Sequence, residues 1–374
     1  MKTPPRFGYE MKIKKETEKY EAWLGRQTPL VGSDLDLKHR EMATGPFAFL
    51  RATFYRWARL WPEVCRAEVR APTVLAVGDL HVENFGTWRD VEGRLVWGIN
   101  DFDEVYPMPY TIDLVHLAVS AHLAIGAGHL SIGPKDACDA ILKGYREGLA
   151  GGGAPIVLGE HHHWLRLLAV SDLRDPFRYW EKMNALPTVK GKVPKSATRA
   201  LERLLPEEGL HYRLAHRVAG LGSLGRQRFV ALADWRGGKV AREAKALVPS
   251  AHCWATKQKG SQEILYEVIL RQAVRCPDPF VHLKGRWIVR RLAPDCSRIE
   301  LASLPKERDE SRLLLEMGHE TANVHLGSPR AIRRVLRDLN RRPAGWLHAA
   351  TQAMVSATLK DWEEWKAGTV KTRP

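Results

Sequence analysis

Two short acidic segments of the chain carry the residue types that phosphoryl transfer from a nucleotide requires. Residues 78–84 read GDLHVEN, so that Asn84 follows Asp79 by five positions, and residues 99–104 read INDFDE after the next apolar run. A carboxylate can accept the proton of an attacking hydroxyl, whereas an Asn and a second Asp suit magnesium, which prefers hard oxygen ligands. We therefore predict that Asp79 is the catalytic base, or the group that orients the acceptor hydroxyl, and that Asp101 and Asn84 bind magnesium.

The neighbours of these residues extend the predicted acidic site. His81 joins Asp79 and Asn84 in the catalytic set, where we expect it to brace the loop through hydrogen bonds rather than to do chemistry. Asp103 is a further magnesium ligand, with Glu104 as an auxiliary. The acidic side chains at 101, 103 and 104 would repel one another unless a cation or an Arg compensates them, which favours a functional site. The alternative is that Asp79 and Asn84 only form turns with local backbone amides in an exposed loop.

A glycine-rich stretch follows much later in the chain. Residues 218–225 read VAGLGSLG, in which Gly220, Gly222 and Gly225 give the pattern G-x-G-x-x-G, with Ser223 inside it. Backbone amides of such glycines can approach phosphate oxygens closely. The residues that follow indicate a strand rather than a helix, which disfavours a dinucleotide-binding interpretation. We predict a glycine-rich hairpin over the phosphates of a nucleotide, and the alternative is a plain β-turn without a ligand.

Lys245 lies on the strand after this hairpin. A lysine in that place can reach the α and β phosphates of a nucleotide and be held there by a glutamate on the next helix. Glu263 and Glu267 lie one turn apart on the predicted helix, and we favour Glu267 because it lies deeper in the apolar part. Each residue alone is more typical of a surface, but the order of glycine loop, strand, lysine strand, glutamate helix and strand favours a nucleotide site.

Apolar spacing indicates the elements that must position these loops. Residues 47–63 predict a helix, residues 73–77 and 94–99 predict two buried strands, and residues 114–125 predict a long apolar helix. The two strands and their acidic loops should form a hairpin-like unit that brings both loops to one edge. Asp113, at the head of the apolar helix, would either cap that helix or brace the acidic loop.

Beyond this unit the pattern changes twice. Residues 132–205 are predicted to be helical, and the His-His-His triplet at 161–163 is assigned no metal because adjacent helical residues do not face one ligand. A mixed region follows, with predicted strands over residues 229–233, 240–247 and 287–292 and a predicted helix over 262–274. Helices resume from residue 309.

Composition and charge set the broad class of the protein. The chain has 374 residues, which is enough for a two-lobed enzyme or for two domains. Of these residues 44% are hydrophobic and 27% charged, as is ordinary for a soluble globular protein. No apolar run is long enough for a bilayer, and the polar residues 1–20 lack a signal-peptide core, so we expect a cytoplasmic location without a membrane partner. The five scattered cysteines form no C-x-x-C pair, which argues against zinc and disulfides. The net charge of +15 attracts anions, either as a nucleic-acid surface or as an ordinary solvated one.

The acidic segments resemble the catalytic and metal loops of the aminoglycoside phosphotransferase and protein-kinase-like superfamily, which carry a G-D-L-H-x-x-N loop and then a D-F/W-x-D-type loop. A closer resemblance, over most of residues 35–330, is to the bacterial domain of unknown function 2252 (DUF2252). It is strongest over residues 78–104, and the other matching segments are 42–50, 113–114 and 220–245. The resemblance to the kinase-like superfamily implies ATP and Mg²⁺ as cofactors and transfer of a phosphoryl group to a hydroxyl of a small molecule or a protein.

The resemblance also implies an α+β fold of the two-lobed protein-kinase-like type with its parts in a different order. In the superfamily the glycine loop and the lysine precede the catalytic loop, whereas here they follow it, which indicates a circular permutation. Ser311–Leu326 would then be the helix that leads into the catalytic loop. Two departures are Val77, where a His commonly stands, and the lack of a final Gly after residues 100–103. The implied units are an N-terminal helical segment (1–73), a mostly helical catalytic-loop lobe (74–210), a β-rich nucleotide lobe (211–300) and C-terminal helices that complete the large lobe (301–374).

Three other functions stay open at this point. The same residues could transfer a nucleotidyl group instead of a phosphoryl group. A kinase-like scaffold without catalysis could bind nucleic acid or an acidic partner, although the complete set of acidic-loop residues and Lys245 favours an enzyme. A metal-dependent hydrolase would need further ligands, for which His319 and His325 are candidates by position, but their spacing of six separates them on a helix. The net charge of +15 favours an acceptor that carries acidic groups.

Overall fold

The fold is given by a computed structural model that describes residues 12–159, 162–169, 175–257, 263–296 and 309–370. Within these residues helices and strands are mixed, in agreement with the predicted α+β class. The helices α1 to α14 are Ile13–Gln27, Gly32–Thr44, Pro46–Ala52, Phe54–Val64, Thr111–Gly126, Pro134–Ala150, His163–Ala169, Pro176–Asn184, Lys195–Glu202, Ala251–Ala255, Tyr266–Gln272, Glu310–His325, Pro329–Arg341 and Trp346–Val370. The strands β1 to β10 are Thr73–Ala76, Phe85–Arg89, Leu95–Ile99, Tyr106–Pro109, Ile156–Val157, Arg213–His216, Arg228–Trp235, Gly238–Ala246, His282–Lys284 and Trp287–Leu292.

The five-stranded sheet holds the strands that the sequence predicts in its second half. Its order is β6-β7-β8-β10-β9, with every neighbouring pair antiparallel. Because side chains alternate along a strand, β7 presents Phe229 and Ala231 to a cluster that includes α9, and Val230 and Leu232 to a cluster that includes Met183 of α8. The sheet is therefore covered by a helix on each face, and β7, β8 and β10 confirm the strand predictions.

The first two strand predictions are confirmed, but their pairing is wrong. β1 pairs with β4, whereas β3 pairs with β2 and β5, so residues 73–77 and 94–99 do not form one hairpin-like unit. Neither β2, which begins directly after Asn84, nor β4 was predicted as a strand. The prolines at 107 and 109 of β4 are typical of a break between elements rather than of a strand. A proline cannot donate a ladder hydrogen bond, but an edge strand tolerates it, and β4 has only β1 as its neighbour in the described sheet.

Two helix predictions change at their boundaries. The helix predicted over residues 47–63 is divided into α3 and α4 at Thr53, whose φ is −126° and whose hydroxyl donates to the carbonyl of Phe49 at 2.7 Å. The helix predicted over 262–274 is the shorter α11, and residue 262 lies outside the described residues. The return to helices from residue 309 is confirmed by α12, α13 and α14.

Helix α5 lies at the centre of the helical part of the protein. Of its 16 residues 13 are buried, and α3, α6, α12 and α14 pack around it. A helix that is apolar on all sides must be enclosed in this way. The polar side chains of α5, Asp113 and His116 among them, therefore have to find hydrogen-bond partners inside the protein. Among the described residues, we find no helix that combines the length and the apolar character needed to cross a bilayer.

Candidate functional site

A buried carboxylate holds the start of the first acidic loop, residues 77–84. The side chain of Asp113 is fully buried in the first turn of α5, where Oδ2 accepts the N–H of Val77 at 2.7 Å and Oδ1 accepts the N–H of Gly78 at 2.8 Å. Tyr110 holds the N-cap position of α5. Asp113 therefore braces the acidic loop and does not cap α5.

Asp113 is itself the end of a buried hydrogen-bond chain. Nε2 of His325 donates to Asp113 Oδ2 at 2.8 Å, and the hydroxyl of Tyr145 donates to Nδ1 of His325 at 2.8 Å. His319 lies two turns away in sequence with 27% of its side chain exposed, and it pairs with Glu316 at 3.1 Å. The two histidines considered as hydrolase ligands thus bond to different carboxylates, and both ring nitrogens of His325 are in use.

The second acidic loop, residues 100–104, contacts the first at Gly78. The φ of Gly78 is +87°, which glycine adopts readily, and a Cβ atom there would lie 2.8 Å from the carbonyl oxygen of Glu104. At the other end of the first loop, the N–H of Asn100 donates to the carbonyl of Asn84 at 2.9 Å. The loops therefore lie side by side, as expected, even though β1 and β3 belong to different sheets.

Hydrogen bonds within the first loop fix its shape. Asn84 Oδ1 accepts the N–H of His81 at 2.7 Å, and Nδ1 of His81 accepts the N–H of Glu83 at 3.2 Å. Glu83 forms an ion pair with Arg51 of α3 at 2.6 Å. These side chains are buried or nearly so, and their contacts stabilise the conformation of the loop that carries Asp79.

A cavity of about 450 Å³ is lined by both acidic loops and by the glycine-rich stretch. This volume lies in the usual range for small-ligand sites. Gly222 of the stretch lies against α3 and the first loop, since a Cβ atom there would lie 2.9 Å from the carbonyl oxygen of Arg51 and 3.3 Å from Asp79 Oδ2. Gly225 is tied elsewhere, since its carbonyl accepts the N–H of Val31 at 2.9 Å. The candidate site residues that line the cavity are Asp79, His81, Asn84, Asp101, Asp103, Gly220, Gly222 and Ser223.

Lys245 has a partner other than the expected glutamate. Its side chain is 1% exposed, and Nζ lies 2.7 Å from Asp103 Oδ1 and 3.3 Å from Asp101 Oδ1. Glu267 is exposed on α11 and lines a separate cavity of about 600 Å³, and Glu263 is exposed before that helix. Strand β8 directs Lys245 towards the second acidic loop, so the pairing with Glu267 or Glu263 is wrong.

Cations on the five-stranded sheet, and on the turn that precedes β7, compensate the charge of the second acidic loop. Besides Lys245, Arg226 contacts Asp103 Oδ2 at 3.1 Å and Glu104 Oε1 at 3.3 Å. Although burial acts in the opposite direction, Lys245 and Arg290 hold the pKa of Asp101 well below its usual range. Burial and the charge of Asp101 raise the pKa of Asp103. Asp101 is therefore the anionic group that faces the cavity, with 33% of its side chain exposed.

Asp79 differs from the other acids of the cavity because no cation of the described residues pairs with it at short range. Its side chain is 18% exposed, and Oδ1 is buried without a hydrogen-bond partner. Burial, and then the charges of Glu104 and Asp101, raise the pKa of Asp79 well above its usual value, whereas Arg51 and Lys38 act in the opposite direction. A carboxyl group of this kind is suited to proton transfer.

Lys38 is a site residue that sequence reasoning missed. It lies on α2 with 3% exposure, lines the cavity, and its Nζ donates to the carbonyl of Gly222 at 3.0 Å. Burial and the charge of Arg226 lower the pKa of Lys38 to about 8. One signal was present, because Lys38 stands four residues from Asp34 and from Met42, on the buried side of α2. A lysine on the buried side of an amphipathic helix indicates a specific partner.

The residues present fit a magnesium ion in part. Asp101 and Asn84 both line the cavity, and a carboxylate and an amide oxygen suit magnesium when phosphate oxygens complete its coordination. Asp103 fits less well, because its oxygens contact Lys245 and Arg226. In the part of the chain that the structure describes, no group of three or more His, Cys, Asp and Glu side chains is arranged to hold a metal. Any magnesium site here would therefore depend on the phosphates of a ligand.

Comparison with known proteins agrees with the sequence resemblance in part. Residues 30–165 match the family described as an uncharacterized protein conserved in bacteria (DUF2252), which supports that family. The match includes both acidic loops, Asp113 and His116, and ends before the glycine-rich stretch. No curated protein and no solved structure matches the chain. The relation to protein kinases and aminoglycoside phosphotransferases stays a prediction.

Proposed function

We propose that this protein is an ATP- and magnesium-dependent phosphotransferase that acts on the hydroxyl of a small molecule or a protein. One observation carries the proposal: the glycine-rich stretch and the two acidic loops, which are far apart in sequence, line the same cavity of about 450 Å³. The proposed fold is a permuted kinase-like fold. In it the five-stranded sheet supplies the glycine loop and Lys245, and the helical part supplies Asp79 and Asp101.

Each side chain has a role that follows from its contacts. The backbone amides around Gly222 would bind phosphate oxygens, and the Lys38 ammonium beside them would add positive charge. Asp101 and Asn84 would hold the magnesium ion, which supplies charge neutralisation for the phosphates when bound. Lys245 would keep Asp101 ionised and in place, since its Nζ lies 3.3 Å from Asp101 Oδ1.

Asp79 would act on the acceptor. Its Oδ2 is the oxygen directed towards Gly222, the point where the loops meet. The acceptor oxygen would form a bond to the transferred phosphorus as its proton passes to Asp79, and the bond from that phosphorus to the leaving nucleoside diphosphate would break. A positioned carboxylate of this kind orients the nucleophile as well as accepting its proton.

Thermal unfolding with ATP and magnesium tests the proposal. A ligand at about 100 times its dissociation constant adds roughly 2.7 kcal/mol to stability, which raises Tm by a few degrees in a chain of this size. We expect a shift that needs ATP and magnesium together in the wild type and that is lost in Asp101→Ala. Asp139→Ala is the matched control, because Asp139 is 55% exposed on α6. Equal shifts in wild type and Asp101→Ala would contradict the site.

Nucleotidyl transfer through the same residues is distinguished by the product. If the nucleotide lies reversed in the cavity, the acceptor gains an adenylate instead of a phosphate. Mass spectrometry of an acceptor incubated with the protein and ATP separates the two outcomes. We prefer phosphoryl transfer because the glycine-rich stretch, rather than an open edge of the cavity, lies beside the proposed base.

A second candidate function, binding of a nucleic acid, is favoured by one specific surface. Helix α13 buries Ala331, Val335 and Leu339 and turns five arginines outward, none of which forms an ion pair within the described residues. Phosphate contacts by such side chains release counterions, so that binding weakens steeply with salt. The five are Arg330, Arg333, Arg334, Arg337 and Arg341.

A matched pair of double variants tests this surface. Arg333→Gln with Arg337→Gln should lower the slope of log affinity for a DNA duplex against log salt by about two, because each phosphate contact contributes about 0.9. Arg199→Gln with Arg203→Gln has the same spacing at the exposed end of α9 and should leave the slope unchanged. Equal loss in both double variants would indicate attraction by net charge alone and would remove α13 as a specific surface.

A further inference from the structure

His116 is a buried side chain of α5 that the proposed function does not use. It is 0% exposed and lies one turn after Asp113. The edges of two aromatic rings of α4 enclose its imidazole, with ring centroids at 4.5 Å for Trp57 and 5.8 Å for Phe54. A histidine in such a place must use its ring nitrogens within the protein.

One ring nitrogen of His116 has an unambiguous role. Nδ1 lies 2.8 Å from the carbonyl oxygen of Leu80. A carbonyl only accepts hydrogen bonds, so Nδ1 must carry the proton and donate. In a neutral imidazole the other nitrogen, Nε2, is then an acceptor. Leu80 directly follows Asp79, so His116 grips the first acidic loop beside the proposed base.

Nε2 of His116, the acceptor nitrogen, faces an oxygen of Asp79. When the Asp79 carboxyl group is ionised, that oxygen also can only accept a hydrogen bond. Nε2 of His116 lies 3.6 Å from Oδ1 of Asp79. Both atoms are buried, and neither has a hydrogen-bond partner in the part of the chain that the structure describes. The separation leaves no room for a bridging water. Two lone pairs that face each other in a dry place repel, whereas one proton between them makes a hydrogen bond after a closure of about half an ångström.

We propose that in the resting protein Asp79 is a carboxylic acid, whose proton lies on Oδ1 and is donated to Nε2 of a neutral His116. His116 is then a positioning residue, which acts through Asp79. The proton belongs to Asp79 rather than to the ring, because burial raises the pKa of Asp79 well above its usual value and lowers the pKa of His116 to about 4. The Leu80 carbonyl and Asp113 act against the shift of His116 but do not reverse it.

The surrounding charges support a proton at this position. On the side of Asp79, the second acidic loop supplies the negative groups Asp101 and Glu104. The positive groups are Lys38 of α2, which donates to the carbonyl of Gly222, and Arg51 of α3, which pairs with Glu83. On the side of His116, Asp113 is bonded to Val77, Gly78 and His325 and so does not reach the ring. The groups around Asp79 are Glu104, Asp101, Arg51, Lys38 and the phenol of Tyr20.

The consequence for catalysis rests on the proposed function. Before Oδ2 of Asp79 can accept the proton of an acceptor hydroxyl, Asp79 must release its own proton to solvent. The rate should therefore rise with pH up to the pKa of Asp79. A donor in place of Nε2 would favour the ionised form and move this limb of the pH profile to lower pH.

The first experiment needs no nucleotide. In protein labelled with ¹³C at the carboxyl carbon of aspartate and with ¹⁵N in the histidine ring, we expect one carboxyl signal to titrate well above the usual range of aspartate. Its absence from Asp79→Asn assigns it. His116 should show a neutral ring with the proton on Nδ1 throughout pH 5–8. A carboxyl signal of Asp79 that is ionised over this whole range, or a ring protonated on Nε2, would overturn the proposal.

Two variants of His116 separate its effect on the proton from packing. In His116→Gln the side-chain amide reaches the position of Nε2 and can donate to Asp79, so the titration midpoint should fall by about one pH unit or more. In His116→Asn the amide can still meet the Leu80 carbonyl but does not reach Asp79. If both variants unfold, the titration of the wild type against Asp79→Asn still decides the proposal.

The outcome is independent of whether the protein is a kinase. A shared proton without any ATP- and magnesium-dependent stabilisation would retain the pair and remove the phosphotransferase. An ATP-dependent shift with a normally titrating Asp79 would do the reverse. Where turnover is found, the acid limb of kcat should move with the NMR midpoint in His116→Gln, a change that a loss of packing alone does not produce.

Discussion

Removal of the Asp113 carboxylate should destabilise the protein and release the first acidic loop. Asp113 is fully buried and accepts hydrogen bonds from Val77, Gly78 and His325 at 2.7, 2.8 and 2.8 Å. A hydrogen bond to a charged group contributes about 1.5–3 kcal/mol, and removal of one partner from a buried pair costs about 3–5 kcal/mol. Because the three bonds share one acceptor, they are not additive, and we expect Asp113→Ala to lose roughly 4 kcal/mol.

Urea unfolding measures this loss. The midpoint should fall while the slope m stays constant, because the surface exposed on unfolding is unchanged. Asp113→Asn should recover only part of the loss, since one amide oxygen accepts from one backbone N–H and the amide N–H₂ faces the other. The control is Asp139→Ala, which removes an exposed pair with Lys135 and should cost about 0.5 kcal/mol or less.

The reasoning would be refuted by a loss in Asp113→Ala below about 1 kcal/mol, which is the usual effect of an ordinary substitution. Such a result would mean that water or a shift of the loop satisfies the two amides. The ligand-dependent shift gives a second readout. If Asp113 positions the loop, Asp113→Asn should weaken the stabilisation by ATP and magnesium even where the protein is fully folded.

Three further perturbations test other parts of the site. Gly222→Ala would place a Cβ atom 2.9 Å from the carbonyl oxygen of Arg51, so we expect a loss of about 1–3 kcal/mol in urea unfolding and a weaker response to ATP; an unchanged response would show that the loop moves freely. Lys38→Met keeps the buried chain but removes the ammonium, and should abolish most of the ATP-dependent shift in Tm while the apoprotein is at least as stable, since the pKa of Lys38 is lowered by burial. Asp79→Asn should become progressively more stable than wild type as pH rises above 3.8, because the unfolded carboxyl ionises there while the folded one keeps its proton, at about 1.4 kcal/mol for each unit of pKa difference; parallel pH profiles would show that Asp79 is not protonated when folded.

What the sequence predicted well is what short-range patterns encode. Asp79, Asn84 and Asp101 lie in two brief segments, each after an apolar strand, and the strands deliver them to one cavity. The strands of the large sheet could likewise be located, because β-branched and apolar runs alternate with glycine turns. Strand pairing could not be predicted, because the register of β1 with β4 depends on contacts between residues that are 30 to 36 positions apart.

The residues that sequence reasoning missed or misassigned owe their roles to long-range packing. Lys38 lies far from Gly222 in sequence, and His116 is an unremarkable polar residue in an apolar helix until the fold brings it to Asp79. The partner of Lys245 was misassigned for a similar reason. The motif suggests a glutamate on the next helix, but the strand directs the lysine towards Asp103, which is encoded in the first half of the chain.

The charges around the cavity relate these separate contacts to one another. Asp103 and Glu104 receive cations from the far half of the chain, Lys245 on β8 and Arg226 before β7. Of these four residues, Asp103, Glu104 and Arg226 also line the cavity. Asp79 receives neither of these cations. Burial and the charges of Glu104 and Asp101 raise the pKa of Asp79. The acid that we propose for proton transfer is therefore also one to which the described residues supply no short-range cation. A ligand that brings positive charge, or that displaces the proposed bond to His116, would therefore change the ionisation of Asp79.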